Sequence, residues 1–136
     1  MKKIILVSSC ALINPQRQIL LTKRPEGKPM AGYWEFPGGK LEAQEMPEQA
    51  IIREIKEEIN INITADNLIP LTFASHAYKE FNLILFLYLC HNYTGTLKNN
   101  EGQEIAWVTM DNLSNYPMPA ADINILPILK NYLEKL

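Results

Sequence analysis

Long apolar runs are missing from this chain. No stretch approaches the roughly 18 consecutive hydrophobic residues that a membrane-spanning helix needs, and the longest candidate, Phe81–Cys90, has the length of a strand. Met1-Lys2-Lys3 does lead into an apolar segment, but Asn14-Pro15 follows where a signal peptide would carry small residues at a cleavage site. A first strand and a cytoplasmic protein are the expectation. An excess of basic charge is missing too. The 13 Lys and Arg against 15 Asp and Glu give a net charge of -2, which argues against non-specific binding to long nucleic acid. Cysteine is scarce: Cys10 and Cys90 sit in separate apolar runs without CxxC spacing. They read as buried free thiols in a reducing compartment, and neither a disulfide nor a zinc site is expected. There is no repeat, linker or low-complexity stretch, and 136 residues suit one compact domain over 1–136.

What is present orders itself along the chain. Hydrophobic residues make up 47%, enough to bury a core. Lys3 to Leu12 reads as a buried strand, Asn14-Pro15-Gln16 as a turn, and Gln18 to Lys23 as a returning strand, together a hairpin. Pro25 to Gly32 cannot hold regular structure and is a loop of the kind that contacts substrates. Trp34 to Phe36 is briefly extended. Pro47 to Ile59 is the clearest helix, with Pro47 suited to its first turn and Ile51, Ile52, Ile55 and Ile59 forming one apolar stripe. Asn60 tolerates the left-handed conformation that ends helices. Strands are expected around 63–64, 68–76, 81–90 and 104–108, with a turn or one helical turn at 111–115. A last helix is expected over about 124–136, with Pro127 confined to its first turn. Strands, helix, strands, helix is the order of a mixed α/β domain whose sheet lies between helices.

Charge is concentrated rather than spread. Glu35, Glu42, Glu45, Glu48, Glu54, Glu57 and Glu58 face only Lys40, Arg53 and Lys56 within one short segment. At about 100° per residue, Glu54, Glu57 and Glu58 share one helix face away from the isoleucine stripe. Three like charges so close repel, and Arg53, four residues before Glu57, cannot neutralise them all. A divalent cation with a preference for hard oxygen ligands can. An acidic stretch by itself is ordinarily a solvated helix face. The pair Gly38-Gly39 upstream, which permits close backbone approach to a phosphate or metal, and Glu45, which extends the cluster, raise the odds of a site.

The spacing Gly39-x5-Glu45-x7-Arg53-Glu54-Ile55-x-Glu57-Glu58-x-Asn60-Ile61 resembles the Nudix box, G-x5-E-x7-R-E-U-x-E-E-x-G-U, at every fixed position except the last glycine, here Asn60. Met46 also stands where relatives often carry a Thr N-cap, at a local cost of about 1 kcal/mol. Arg24 to Lys40, Glu101-Gly102-Gln103 with Trp107, and Pro119-Ala120-Ala121-Asp122 are similar to MutT-type pyrophosphohydrolases, so the likeness spans most of the chain.

The resemblance implies a Nudix-type α/β/α sandwich with a mixed sheet. It also implies a magnesium-dependent cut of a nucleoside triphosphate, such as 8-oxo-dGTP, to the monophosphate and pyrophosphate, with Mn2+ able to replace Mg2+. Glu54, Glu57 and Glu58 would bind metal with the Gly38 or Gly39 carbonyl, and Arg53 would orient them. Either Glu54 or Glu101 would serve as base, with Glu101 a further metal ligand. Arg24, Gly38, Gly39, Lys40, Tyr78 and Asp122 would meet substrate. Asp122 stands where MutT-type enzymes use an Asn to recognise oxidised guanine, and a carboxylate accepts where an amide can also donate. CTP or a modified pyrimidine triphosphate is an alternative. ADP-ribose is another, though Ala77 stands where that group tends to carry Pro. A non-catalytic Nudix-like module ranks last because such modules lose the glutamates retained here. A small-molecule nucleotide is the expected partner, for a monomer or homodimer.

Overall fold

The computed structural model describes residues 2–136. Two sheets share the interior. Strands β1 (Lys3–Leu12), β4 (Gly38–Lys40), β5 (Ile69–Ala77) and β6 (Phe81–Cys90) form one in the order β4-β1-β6-β5. Strands β2 (Gln18–Lys23), β3 (Trp34–Glu35) and β7 (Ile105–Thr109) form the other in the order β3-β2-β7. β1 runs parallel to β6 from Lys3 opposite Phe81 to Leu12 opposite Cys90, while every other pairing is antiparallel. The sheet is therefore mixed, as expected.

The hairpin expected between β1 and β2 does not form. One bridge, Ile13 to Ile19, and the Asn14 N–H to the Gln18 carbonyl at 3.1 Å close the turn, after which the strands part into different sheets. Their residues explain it. Cys10, Ala11 and Leu12, like Ile19, Leu20 and Leu21, are fully buried whichever way they point. Such strands need cover on both faces, which a hairpin with one wet face would not provide. The strand expected at 63–64 is also reduced, to a bridge between Asn62 and Thr94 followed by a single 3-10 turn, Ala65–Asn67.

Helix α1 spans Pro47–Ile59 with Pro47 in its first turn. Met46 supplies no side-chain cap, but its own N–H is taken by the Gln49 side chain at 2.8 Å, half of a capping box. Ile51, Ile55 and Ile59 are buried against Cys10, Leu12 and Leu20, while Ile52 is only partly covered. Each buried Ile contributes roughly 1.5–3 kcal/mol. Helix α2 spans Ala120–Glu134, starting earlier than expected, so that Pro127 lies inside it. Pro127 leaves the Ile123 carbonyl without its intrahelical donor, and Ile123 is 50% exposed, on the solvent side of the helix. Meanwhile Ala121, Ile125, Leu129 and Leu133 keep one buried stripe running past the proline.

The four-stranded sheet thus separates two cores. One packs Leu85 and Leu87 of β6, with Phe36, under α2, and the other packs Cys10, Leu12 and Cys90 under α1. This is an α/β/α sandwich. Both thiols are free and buried. Among the described residues no helix is long and apolar enough to cross a membrane.

Candidate active site

Strand β4 brings the glycine pair against the acidic helix. A Cβ on Gly38, whose φ is +150°, would lie 2.2 Å from the Ser8 carbonyl oxygen and 2.6 Å from Ser9 Cα. A Cβ on Gly39 would lie 2.6 Å from the Glu54 carboxyl carbon. Only glycine lets this backbone run between β1 and the Glu54 side chain. The Ser8 hydroxyl, donating to the Pro47 carbonyl at 3.0 Å, ties the start of α1 to β1.

Arg53 organises the carboxylates around it. Its Nε and Nη2 grip Glu45 at 2.8 and 2.9 Å, its Nη1 meets Glu54 at 2.7 Å, and Glu42 and Glu57 lie 3.5 Å away. The two-pronged grip is the geometry a planar guanidinium provides. Glu45 is accordingly pulled down to about 2, chiefly by its bond to Arg53, and Arg53 itself is pushed upward by Glu45. Glu45 therefore acts as the anchor of Arg53 rather than as one more free acid.

Glu58 has no such cation. It is 6% exposed. Burial first, then its bond to Glu54, then the charges of Glu54, Glu101 and Glu35, push its carboxyl up to about 9. An acid this buried and this poorly compensated is costly to keep. Among the described residues no three acidic, His or Cys side chains already converge as a metal cage. Arg53 draws Glu54 aside, and the Glu57 side chain, 54% exposed, points toward solvent. The donor set nevertheless fits a hard divalent cation: carboxylate oxygens on adjacent helical turns, a Gly39 backbone in contact with one of them, and an uncompensated buried acid.

Beside this face opens a cavity of about 310 Å³. It gathers all six residues expected to meet substrate: Arg24, Gly38, Gly39, Lys40, Tyr78 and Asp122. Apolar side chains of β1 and β6, including Val7, Phe81 and Leu83, make its floor. Tyr78 stacks on Phe81 with ring centroids 5.1 Å apart. Both rings line the cavity. Trp34 instead packs edge-on against Tyr116, and Tyr33 is exposed. Asp122 is 7% exposed and is pushed up to about 7 by burial, with the Glu35 charge second.

Glu35 is a residue that the sequence reading did not assign to the site. It lines the cavity, bonds to Arg24 at 3.2 Å, and has its carboxyl raised by burial against the opposing pull of Arg24. The signal available was an acid in a strand between two aromatics just before the glycine pair. Glu101 lies apart from the cavity lining, on an exposed loop, yet its charge is felt at Glu58.

A cleft with the glycine pair in its wall, joined to an acid-rich helix, fits a hydrolase that works with a bound cation. The comparisons narrow that class. A family model described as NUDIX domain matches residues 9–127, and the chain belongs to that family and is a Nudix hydrolase. It is 38% identical over 130 residues to a Haemophilus influenzae 8-oxo-dGTP diphosphatase, covering 96% of this chain and 94% of that protein. It is 37% identical over 118 residues to an Escherichia coli CTP pyrophosphohydrolase, covering 85% and 84%. Its fold matches the MutT Nudix hydrolase from Burkholderia pseudomallei with a TM-score of 0.83 at 28% identity, over 94% and 99% of the two chains. Enzymes of this family use divalent metal ions.

Proposed function

We propose that this chain hydrolyses nucleoside triphosphates to the monophosphate and pyrophosphate with Mg2+ as the working ion, and that an oxidised purine triphosphate such as 8-oxo-dGTP is a substrate. The observation that carries the proposal is the abutment of Gly39 on Glu54 at the mouth of a cavity whose inner wall holds Asp122. Glu54, Glu57, Glu58 and the Gly39 carbonyl would hold the ion, with Glu101 adding a carboxylate. Bound there, it would neutralise phosphate charge and lower the pKa of a water. Arg53 keeps Glu54 and Glu57 on one side of the helix and resists their mutual repulsion. Either Glu54 or Glu101 would take the proton of the attacking water. Phosphoryl transfer asks little else of a protein than such positioning and charge. Arg24 and Lys40 at the cavity edge supply positive charge for the phosphates, and Tyr78 with Phe81 offers a face for the base.

A second reading, CTP or a modified pyrimidine triphosphate, is favoured by the similarity to the CTP pyrophosphohydrolase. A panel of 8-oxo-dGTP, dGTP, CTP, 5-hydroxy-dCTP and ADP-ribose with Mg2+, scored by kcat/KM and pyrophosphate release, separates them. Preference for 8-oxo-dGTP over dGTP is the expected result. A preference for ADP-ribose, no turnover of any nucleotide, or full turnover by Glu57→Gln would overturn the proposal.

A further inference from the structure

We infer that Asn60 and Asn100 are positioning residues that clamp the Glu101 loop onto the C-terminal turn of α1, holding that carboxylate at the acidic face. The inference rests on the proposed role of Glu101. Its basis is a ladder of bonds. The segment following β6 climbs the end of α1 step by step. Thr94 and Asn62 exchange two backbone bonds at 2.9 and 3.1 Å, and the Thr96 carbonyl accepts from Asn60 Nδ2 at 3.1 Å. Next, the Lys98 N–H donates to the Ile59 carbonyl at 2.9 Å, and the Asn100 N–H to the Glu58 carbonyl at 3.0 Å. Finally Asn100 Nδ2 donates to the Glu57 carbonyl at 3.2 Å.

The last three acceptors, Ile59, Glu58 and Glu57, belong to the last turn of the helix, where carbonyls lack intrahelical partners. Two of them are the backbone of Glu57 and Glu58 themselves. The loop is therefore registered against the residues that carry the acidic face, and Glu101 is the residue after the final rung. Beyond it the Asn99 amide bonds the Gln103 carbonyl across the turn made by Gly102, whose φ is +74°.

Asn60 gives the ladder a rung that glycine cannot. It takes the left-handed backbone, φ +63°, that the family pattern leaves to glycine. Its amide is oriented because the Lys56 ammonium can only donate, to Asn60 Oδ1 at 3.1 Å, leaving Nδ2 for Thr96. Gly95 permits the close pass, since a Cβ there would lie 2.9 Å from the Asn60 carbonyl. The departure from the family motif thus coincides with an extra tether.

Asn60→Gly is the informative variant, because glycine keeps the backbone conformation and deletes only the side-chain bonds to Thr96 and Lys56. If Asn60 merely ended the helix, this change would be neutral. The test compares Asn60→Gly, Asn100→Ala, Glu101→Gln and the doubles with Glu101→Gln. The clamp predicts amide exchange at Lys98 and Asn100 about fivefold faster in metal-free Asn60→Gly, the scale of one lost hydrogen bond. It also predicts Mn2+ affinity, read by electron paramagnetic resonance, and kcat both several-fold lower, with nucleotide KM unchanged. In the Glu101→Gln background neither substitution should lower kcat or Mn2+ affinity further. Equal losses in that background would mark a structural role and overturn the inference. So would wild-type exchange, affinity and kcat in both single variants when Glu101→Gln is impaired, leaving the Glu101 assignment intact. A Glu101→Gln variant as active as wild type would overturn the Glu101 assignment and the clamp's purpose together, whatever the exchange rates.

Discussion

Replacing Glu58 by Gln is expected to stabilise the metal-free protein and to abolish its turnover. Glu58 is buried, and its carboxyl is held near 9 against an ordinary 4.5, first by burial and then by Glu54. The sign follows from proton uptake. Above pH 4.5 the unfolded chain has released this proton while the folded chain retains it, so folding stability falls with rising pH, all the way toward the folded value. Each pH unit in that window costs about 1.4 kcal/mol. Because the shift is shared with Glu54, about half of the full slope, or roughly 2–3 kcal/mol by pH 8, is the working figure. Gln has the same shape and no proton to hold. Urea denaturation of chelator-treated protein at pH 5 and pH 8 measures the effect. Glu58→Gln should be more stable than wild type at pH 8, by roughly 2 kcal/mol, and by much less at pH 5. Added Mg2+ should raise the wild-type melting temperature and leave the variant unmoved, and kcat should fall by about two orders of magnitude or more. A pH-independent difference, or a variant less stable at pH 8, would refute the account of Glu58.

The glycine pair should divide in its effects. Gly39→Ala pushes on a movable Glu54 side chain, so melting should change little while kcat falls by about 10²-fold, the scale of a 1 Å misplacement. Gly38→Ala drives a methyl into the Ser8 carbonyl and should cost about 3 kcal/mol or more, seen as a lower melting temperature. Arg53→Ala frees carboxylates that now share one cation and should lower both stability, by about 2 kcal/mol, and kcat. Arg53→Lys should restore only part of either, because an ammonium cannot grip Glu45 at two points. Asp122, held near 7 by burial and by Glu35, makes the fold lose stability as pH climbs from its ordinary 3.8 toward that value. Asp122→Asn should therefore melt higher than wild type at pH 8, equally at pH 4, and shift the kcat/KM ratio between 8-oxo-dGTP and CTP. An unchanged ratio would remove Asp122 from base selection.

Helix α1 could be read from the chain because Pro47, the isoleucine stripe and Asn60 are local signals that tertiary packing leaves in place. The acidic face could be read for the same reason: its residues are neighbours on one turn. What could not be read required knowing which distant segments meet. The parting of β1 and β2 depends on β6 and β7 claiming them, and nothing near Asn14 announces it. Pro127 misled because it and Ile123 lie on the exposed side of α2, and which side of that helix faces out is set by distant packing. Glu35 looked like one more surface acid until Arg24 and the cavity wall enclosed it. Glu45 was grouped correctly with the acids, but its bond to Arg53 makes it a support rather than a free charge.

The separation of the interior into two cores bears on how such an enzyme diversifies. The cavity wall proposed to face the base is carried by α2 and by side chains of β1 and β6, whereas the acidic helix rests on the opposite core. Substitutions on one side share few partners with those on the other, so their energetic effects should add rather than compound. Selection could then trade one nucleobase for another along Tyr78, Phe81 and Asp122 while the hydrolytic machinery is inherited unaltered. That partition offers a physical route by which closely similar chains come to serve different nucleotides.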